Sequence, residues 1–183
     1  VVEALMGSGA FRQLIPPTYG GLGVAFPEFV ESVQIYAQTD ASTAWCINQG
    51  AIIGTTSVWL PSESIHEIWN QPDAAFANGP PLDCSVTATE DGYRLHGRWG
   101  FSSGCRHASW MTCAAQVTGE KRWLASFFRK PHAEFHDNWQ VSGLRGTGSL
   151  EFSVDNLQLD ERWVANLAGT ANDDGAFYRI PTG

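Results

Sequence analysis

The strongest constraint in this sequence is a change of period at Pro72-Asp73. Before it, apolar residues recur at intervals of three and four. After it, they alternate. The first spacing lines one face of a helix and the second one face of a strand. Val2, Leu5 and Met6 close a short helix that Gly7 and Gly9 stop. Phe11–Gly23, dense in proline and glycine from Pro16 on, reads as an irregular, fixed turn. Pro27 suits a first helical turn, and Phe26, Phe29, Val30, Val33 and Ala37 carry the helix to about Gln38. Asp40-Ala41-Ser42 breaks it and caps a second helix over about Thr43–Leu60. That helix is apolar on most sides (Trp45, Ile47, Ile52, Ile53, Val58, Trp59), the mark of a buried element. A third helix, Ser62–Asn70, turns Ile65, Ile68 and Trp69 inward.

Beyond the switch, extended segments are expected at Ala75–Gly79, Cys84–Thr89, Tyr93–Phe101, Ala108–Val117, Arg122–Arg129, Glu134–Val141 and Leu150–Leu159. Asp91-Gly92 is a strong hairpin signal between the second and third. The fold class is therefore α+β: an N-terminal helical segment followed by an antiparallel β-barrel or sandwich. The divisions are 1–72 (helical), 73–163 (β) and 164–183 (a linker leading back toward helix).

Composition limits function. Of 183 residues 43% are hydrophobic and 12% aromatic, enough for a packed core. A net charge of −8, with no basic run, argues against nucleic acid as a partner. No apolar run is long enough to span a bilayer. The four cysteines lack zinc spacing, and no signal peptide is recognisable, so a cytoplasmic setting with free thiols is expected.

Several chemistries can be weighed. No Gly-x-Ser-x-Gly elbow is present, and Ser102 and Ser103 beside His107 lack an acid for a hydrolase triad. His132, Glu134 and His136 share a strand face and could hold a metal. Ala133 and Phe135 point the other way, so the trio reads as a solvated face and no metal site is expected. Cys105, next to Arg106 and His107, would be activated if its loop were open. Gly21-x-Gly23 meets neither phosphate-loop fingerprint.

The best constellation joins Trp99-Gly100-Phe101-Ser102-Ser103-Gly104 to Gly143-Leu144-Arg145-Gly146-Thr147-Gly148-Ser149. Aromatic walls with a few placed hydroxyls suit the face and edge of a flat heterocycle. Glycines around an Arg and a Thr make a donor-rich loop for an anion or a carbonyl edge.

Six segments together resemble the acyl-CoA dehydrogenase superfamily. They are Leu-Ile-Pro-x-x-Tyr-Gly-Gly (Leu14–Gly21), Asp-x-Ser-x-x-Trp (Asp40–Trp45), Asp-Gly-Tyr-x-Leu-x-Gly (Asp91–Gly97), the two loops above, and His-x-x-Trp (His107–Trp110). The loop pair is similar to that of the two-component flavin-dependent monooxygenases within this superfamily. The resemblance implies a helical domain, a middle β-barrel and a C-terminal helical domain, most of the last being absent here. It implies flavin (FMN or FAD) between the barrel and that last domain. It also implies a separate flavin reductase, an aromatic or sulfur-containing small-molecule substrate, homotetramers in the full-length protein, and an isolated chain that is inactive. By the same resemblance Ser103 stands near flavin N5 as the catalytic hydroxyl, where the dehydrogenases place a threonine. Phe101 replaces a ring-packing tryptophan. Asn78-Gly79-Pro80 approaches the ring's edge, Trp99 and Ser102 add to the cofactor contacts, and Arg145 and Thr147 stand near the cofactor or the substrate mouth. Ile53 stands where this branch often carries a substrate histidine, which argues against a phenol as substrate. The alternatives are acyl-thioester dehydrogenation, and a fragment that binds nothing.

Overall fold

The computed structural model describes residues 1–173 and 175–179. Its helical part contains α1 (Val2–Gly7), α2 (Phe26–Thr39), α3 (Ala41–Thr55) and α4 (Ser62–Trp69). Between α1 and α2 the chain makes two 3-10 turns, Ala10–Arg12 and Pro17–Tyr19, where the prolines and glycines led us to expect an irregular turn. Arg12 ties this region down by donating to the carbonyl oxygens of Gly20, Trp69 and Gln71. Asp40 caps α3 as expected, its carboxylate accepting from Thr43 N–H at 2.7 Å. The Thr43 hydroxyl and amide hold that carboxyl below its ordinary pKa. The α-helix gives way at Thr56 to a 3-10 turn, Thr56–Trp59, so the predicted continuous helix to Leu60 is two elements.

Eight strands follow: β1 (Phe76–Ala77), β2 (Pro81–Thr89), β3 (Gly92–Ser102), β4 (Trp110–Val117), β5 (Trp123–Arg129), β6 (Glu134–His136), β7 (Leu150–Leu159) and β8 (Val164–Ala165). They form one sheet in the order β6-β7-β3-β2-β4-β5-β8, with β1 added to β4. The α+β order is as read from the sequence. The sheet is mixed and not wholly antiparallel: β1 and β2 both run parallel to β4. The reason is the route of the chain between β3 and β4, which returns across the sheet and not through a hairpin. The β2–β3 hairpin forms where Asp91-Gly92 placed it. Gly92 is required there: its φ is +120°, and a Cβ would lie 2.3 Å from the Leu159 carbonyl oxygen. β6 stops at His136, five residues short of the expected end. Among the described residues β6 and β8 do not pair, so the hydrogen bonding leaves the barrel open.

Two cores explain the strand composition. One lies within the curl of the sheet and holds Val86, Leu95, Trp99, Met111, Cys113, Leu124, Phe128, Phe152 and Val154. The other lies between sheet and helices, where Phe76, Trp110, Ala125 and Phe127 meet Ile15, Leu60, Ile65, Ile68 and Trp69. β5 is therefore buried on both faces, which is why its apolar run is nearly continuous. The helical layer buttresses β4 and β5 and leaves the far ends of β3 and β7 open to form a site. Within the 164–183 division a 3-10 turn forms at Ala176–Arg179, and residues 180–183 lie outside those described.

Candidate functional site

At the end of β3 the backbone leaves its regular path. Strand alternation would put Trp99 and Phe101 on one face. The pairing with β7 shifts register between Trp99 and Ser102, and Phe101 adopts φ +54°. Such a bulge re-aims the side chains that follow it. Phe101 is turned outward and is 62% exposed, meeting Trp139 edge to face with ring centroids 6.1 Å apart. Trp99 stays inside, stacked on Phe152 at 5.2 Å with its Nε1 donating to Ala114 O. The expectation that Trp99 lines the ligand is therefore corrected: its indole is a core residue with its one donor already satisfied. Ser102 is corrected likewise. Its side chain is buried, and its Oγ has no hydrogen-bond partner among the described residues.

The second glycine-bearing loop closes over the first. Gly104 N–H donates to Thr147 O at 2.9 Å, and Cys105 Sγ to Gly148 O at 3.3 Å. Gly104 (φ +79°) and Gly148 (φ +53°) permit this approach. Leu144, at φ +52°, is a second non-glycine residue in the left-handed region. Strain of this kind costs of order 1–3 kcal/mol and tends to gather at functional sites. Both Phe101 and Leu144 line the same recess.

That recess has a volume of about 330 Å³. α3 contributes Trp45 and Gln49, one helical turn apart. Asn78 and Pro80 come from the segment before β2, Phe101 and Ser103 from the end of β3, and Leu144, Thr147 and Ser149 from the closing loop. Its polar floor is a connected row. Trp45 Nε1 donates to Ser103 Oγ at 2.9 Å, Ser103 Oγ lies 2.7 Å from Ser149 Oγ, and Ser149 Oγ lies 2.6 Å from Thr147 Oγ1. Thr147 Oγ1 donates to Leu144 O at 2.9 Å. Ser103, Ser149 and Thr147 are all buried.

The structure thus brings Asn78, Phe101, Ser103 and Thr147 together. Gly79 sits between two lining residues without lining the recess itself. A Cβ there would lie 2.2 Å from Gly100 O, so this strand connection packs backbone on backbone. Arg145 is exposed on the rim, on the 3-10 turn Arg145–Thr147, and its side chain is not part of the lining. Sequence reasoning missed Gln49 and Trp139, and it quoted Trp45 and Ser149 within motifs without giving either a place in the site. The signal for Trp45 and Gln49 was there: a Trp and a Gln four apart share a helix face, and a Gln interrupts an otherwise apolar surface.

The rival chemistries lose support. Burial outweighs the pull of Lys130 and Arg106 and pushes the Cys105 thiol up, and it pushes Cys46 up to about 11, so neither is an activated thiolate. His107 is tucked against Phe11, ring centroids 5.1 Å apart, and not against either serine hydroxyl. Among the described residues no cluster of three or more metal-ligating side chains exists. No described helix is long and apolar enough to cross a membrane.

Comparison with known proteins places the chain among relatives. No family model matches it. It is 32% identical, over a 191-residue alignment, to indole-3-acetate monooxygenase of Pseudomonas putida, covering all of this chain and 48% of that protein. It is also 32% identical to the oxygenase component of the FADH2-dependent resorcinol hydroxylase of a Rhizobium species, covering 97% of this chain and 45% of that protein. Among solved structures, the HsaA monooxygenase of M. tuberculosis superposes with a TM-score of 0.89 at 25% identity, over 98% of this chain and 52% of that one. The chain spans about half the length of the curated relatives it matches.

Proposed function

We propose that this chain forms the flavin-facing wall of the oxygenase component of a two-component, flavin-dependent monooxygenase acting on an aromatic small molecule. The observation that carries this is the recess itself, where three aromatic side chains and a row of buried hydroxyls meet beside two strained backbone positions, Phe101 and Leu144. Its fit to an isoalloxazine can be judged from these residues. About 330 Å³ is at the low end for a small-molecule pocket, which suits a ring system with its tail outside. Phe101, Trp45 and Trp139 offer flat apolar faces. Of the three hydroxyls on the floor, Ser103 Oγ, already bonded to Trp45 Nε1 and Ser149 Oγ, has capacity for one more partner.

When bound, reduced flavin would supply two of the four electrons that reduce O2 and the substrate the other two, one oxygen atom going to the substrate and the other to water. The chain's own residues do the rest. Phe101 and Trp139 shield the ring from water. Asn78 presents an amide at its edge. Ser103 would be the hydroxyl toward N5, held in place by Trp45 and Ser149. Trp99 and Ser102 act from behind, by fixing the strand end. Arg145 keeps a role only at the rim. The relatives' designations as oxygenase components support a separate reductase as partner. The same reading extends to FMN or FAD as the cofactor, to sulfur-containing small molecules as substrates beside aromatic ones, and to a tetramer of the full-length protein. Ile53 packs toward the helix–sheet core and not into the recess, so Gln49 is the α3 side chain that would meet a substrate alongside Trp45.

The test is isotopic. Purified protein carrying this chain is mixed with photoreduced FMN or FAD, then with 18O2, in the presence of indole-3-acetate, resorcinol or p-hydroxyphenylacetate. One labelled oxygen atom in the recovered aromatic is the expected result. Flavin reoxidation with no labelled product from any of them, together with flavin reduction by an acyl-CoA, would show the reading to be wrong.

A further inference from the structure

The hydroxyl row has a direction, and the direction follows from counting protons. The Leu144 carbonyl can only accept, so the single hydroxyl proton of Thr147 is committed to it. Thr147 Oγ1 must then accept from Ser149, whose own proton is thereby used. Ser149 Oγ must in turn accept from Ser103. Indole Nε1 can only donate, so Trp45 fills one lone pair on Ser103 Oγ. What remains facing the recess is the other lone pair of Ser103 and no proton. Leu144 O also accepts from Thr147 N–H at 3.1 Å and from Trp139 Nε1 at 3.3 Å, so it never lacks a donor; what opposes reversal is that Thr147 Oγ1 and Leu144 O, 2.9 Å apart, would then face each other as two acceptors with no proton between them.

We infer that Ser149 and Thr147 are positioning residues that lock Ser103 as an acceptor and so make the recess select the reduced form of its flavin. This rests on the flavin reading above. Reduced isoalloxazine carries a hydrogen at N5 and can donate to Ser103. Oxidised isoalloxazine presents a lone pair at N5, which meets the lone pair of Ser103. A protein that receives reduced flavin from a partner and releases the oxidised form needs that asymmetry, and here it is wired three residues away from the ring.

The experiment is an anaerobic titration of purified protein carrying this chain with FMN and with photoreduced FMN, read by tryptophan fluorescence, together with the midpoint potential of the bound flavin. The wild type is expected to bind the reduced form more tightly. Thr147→Val removes the committed acceptor. The row can then reverse, and Ser103 can donate to oxidised N5. The ratio of the two dissociation constants should fall about threefold to tenfold, the worth of one hydrogen bond. A tenfold fall lowers the bound potential by about 30 mV for a two-electron couple. Thr147→Ser, which keeps the hydroxyl, should restore the ratio, and Ser149→Ala, which cuts the row one link earlier, should reproduce the loss. A merely structural defect would weaken both forms together and leave the ratio and the potential where they were. An unchanged ratio in Thr147→Val and Ser149→Ala, with both flavins still bound, overturns the inference alone. Failure of the wild type to bind either flavin overturns the flavin reading and this inference with it.

Discussion

Replacing Gly79 by alanine tests whether the recess depends on backbone packed directly against backbone. Gly79 does not have a positive φ, so the substitution adds no torsional strain and isolates a steric effect. The new Cβ would lie 2.2 Å from Gly100 O and 3.2 Å from both Gly100 C and Trp99 Cβ. A carbon and a carbonyl oxygen sit comfortably at about 3.3–3.6 Å, so the two segments must part by about 1 Å. The obstacle is main chain, held by the Gly100 N–H bond to Pro80 O at 3.1 Å, and cannot swing aside. Overpacking of this kind costs about 1–3 kcal/mol, and a fixed backbone puts Gly79→Ala near the top of that range. For a chain of this size about 3 kcal/mol lowers Tm by about 6–12 °C. Gly143→Ala is the control, because a Cβ there meets nothing within 4 Å and its φ is ordinary; it should change stability by less than about 0.5 kcal/mol. Thermal unfolding followed by near-ultraviolet circular dichroism reads both. The reasoning fails if the two variants melt together. Because Asn78 and Phe101 flank the parted segments, Gly79→Ala should also weaken flavin in both redox states.

Phe101→Ala and Phe152→Ala should separate function from stability. Phe152 is fully buried, and its truncation should cost about 3–5 kcal/mol. Phe101 is mostly exposed at a strained φ, so its truncation should cost far less while lowering flavin affinity; equal losses of Tm in the two would contradict the exposed-wall assignment. The pH dependence of stability should carry the mark of His107, whose pKa is lowered from 6.5 by burial and then by Lys130. The folded state holds it neutral, so as pH falls below 6.5 the unfolded chain takes up a proton that the folded chain does not. Stability should therefore be full above 6.5 and decline below it, until the folded pKa is reached. His107→Gln should flatten that part of a urea-midpoint profile, and a profile unaltered by the substitution would count against the burial of this ring.

Much of the arrangement can be read along the chain because it is local. The α+β order, the four helices, the Asp91-Gly92 hairpin and most strand bounds follow from period and from turn chemistry, which neighbouring residues settle among themselves. The two glycine-bearing loops also stood out, since glycine, serine and threonine at that density have few other uses. Tertiary structure decided what local rules do not encode. A register shift against β7 turned Phe101 out and kept Trp99 in, although strand alternation puts them on one face. The parallel pairing of β1 and β2 with β4, and the short β8, depend on which distant segments meet. Trp45 read as the buried face of an apolar helix, yet the open ends of β3 and β7 left it a cavity to line and Ser103 as a partner. Periodicity tells a side chain which neighbours share its face; only the packed backbone tells it what lies opposite.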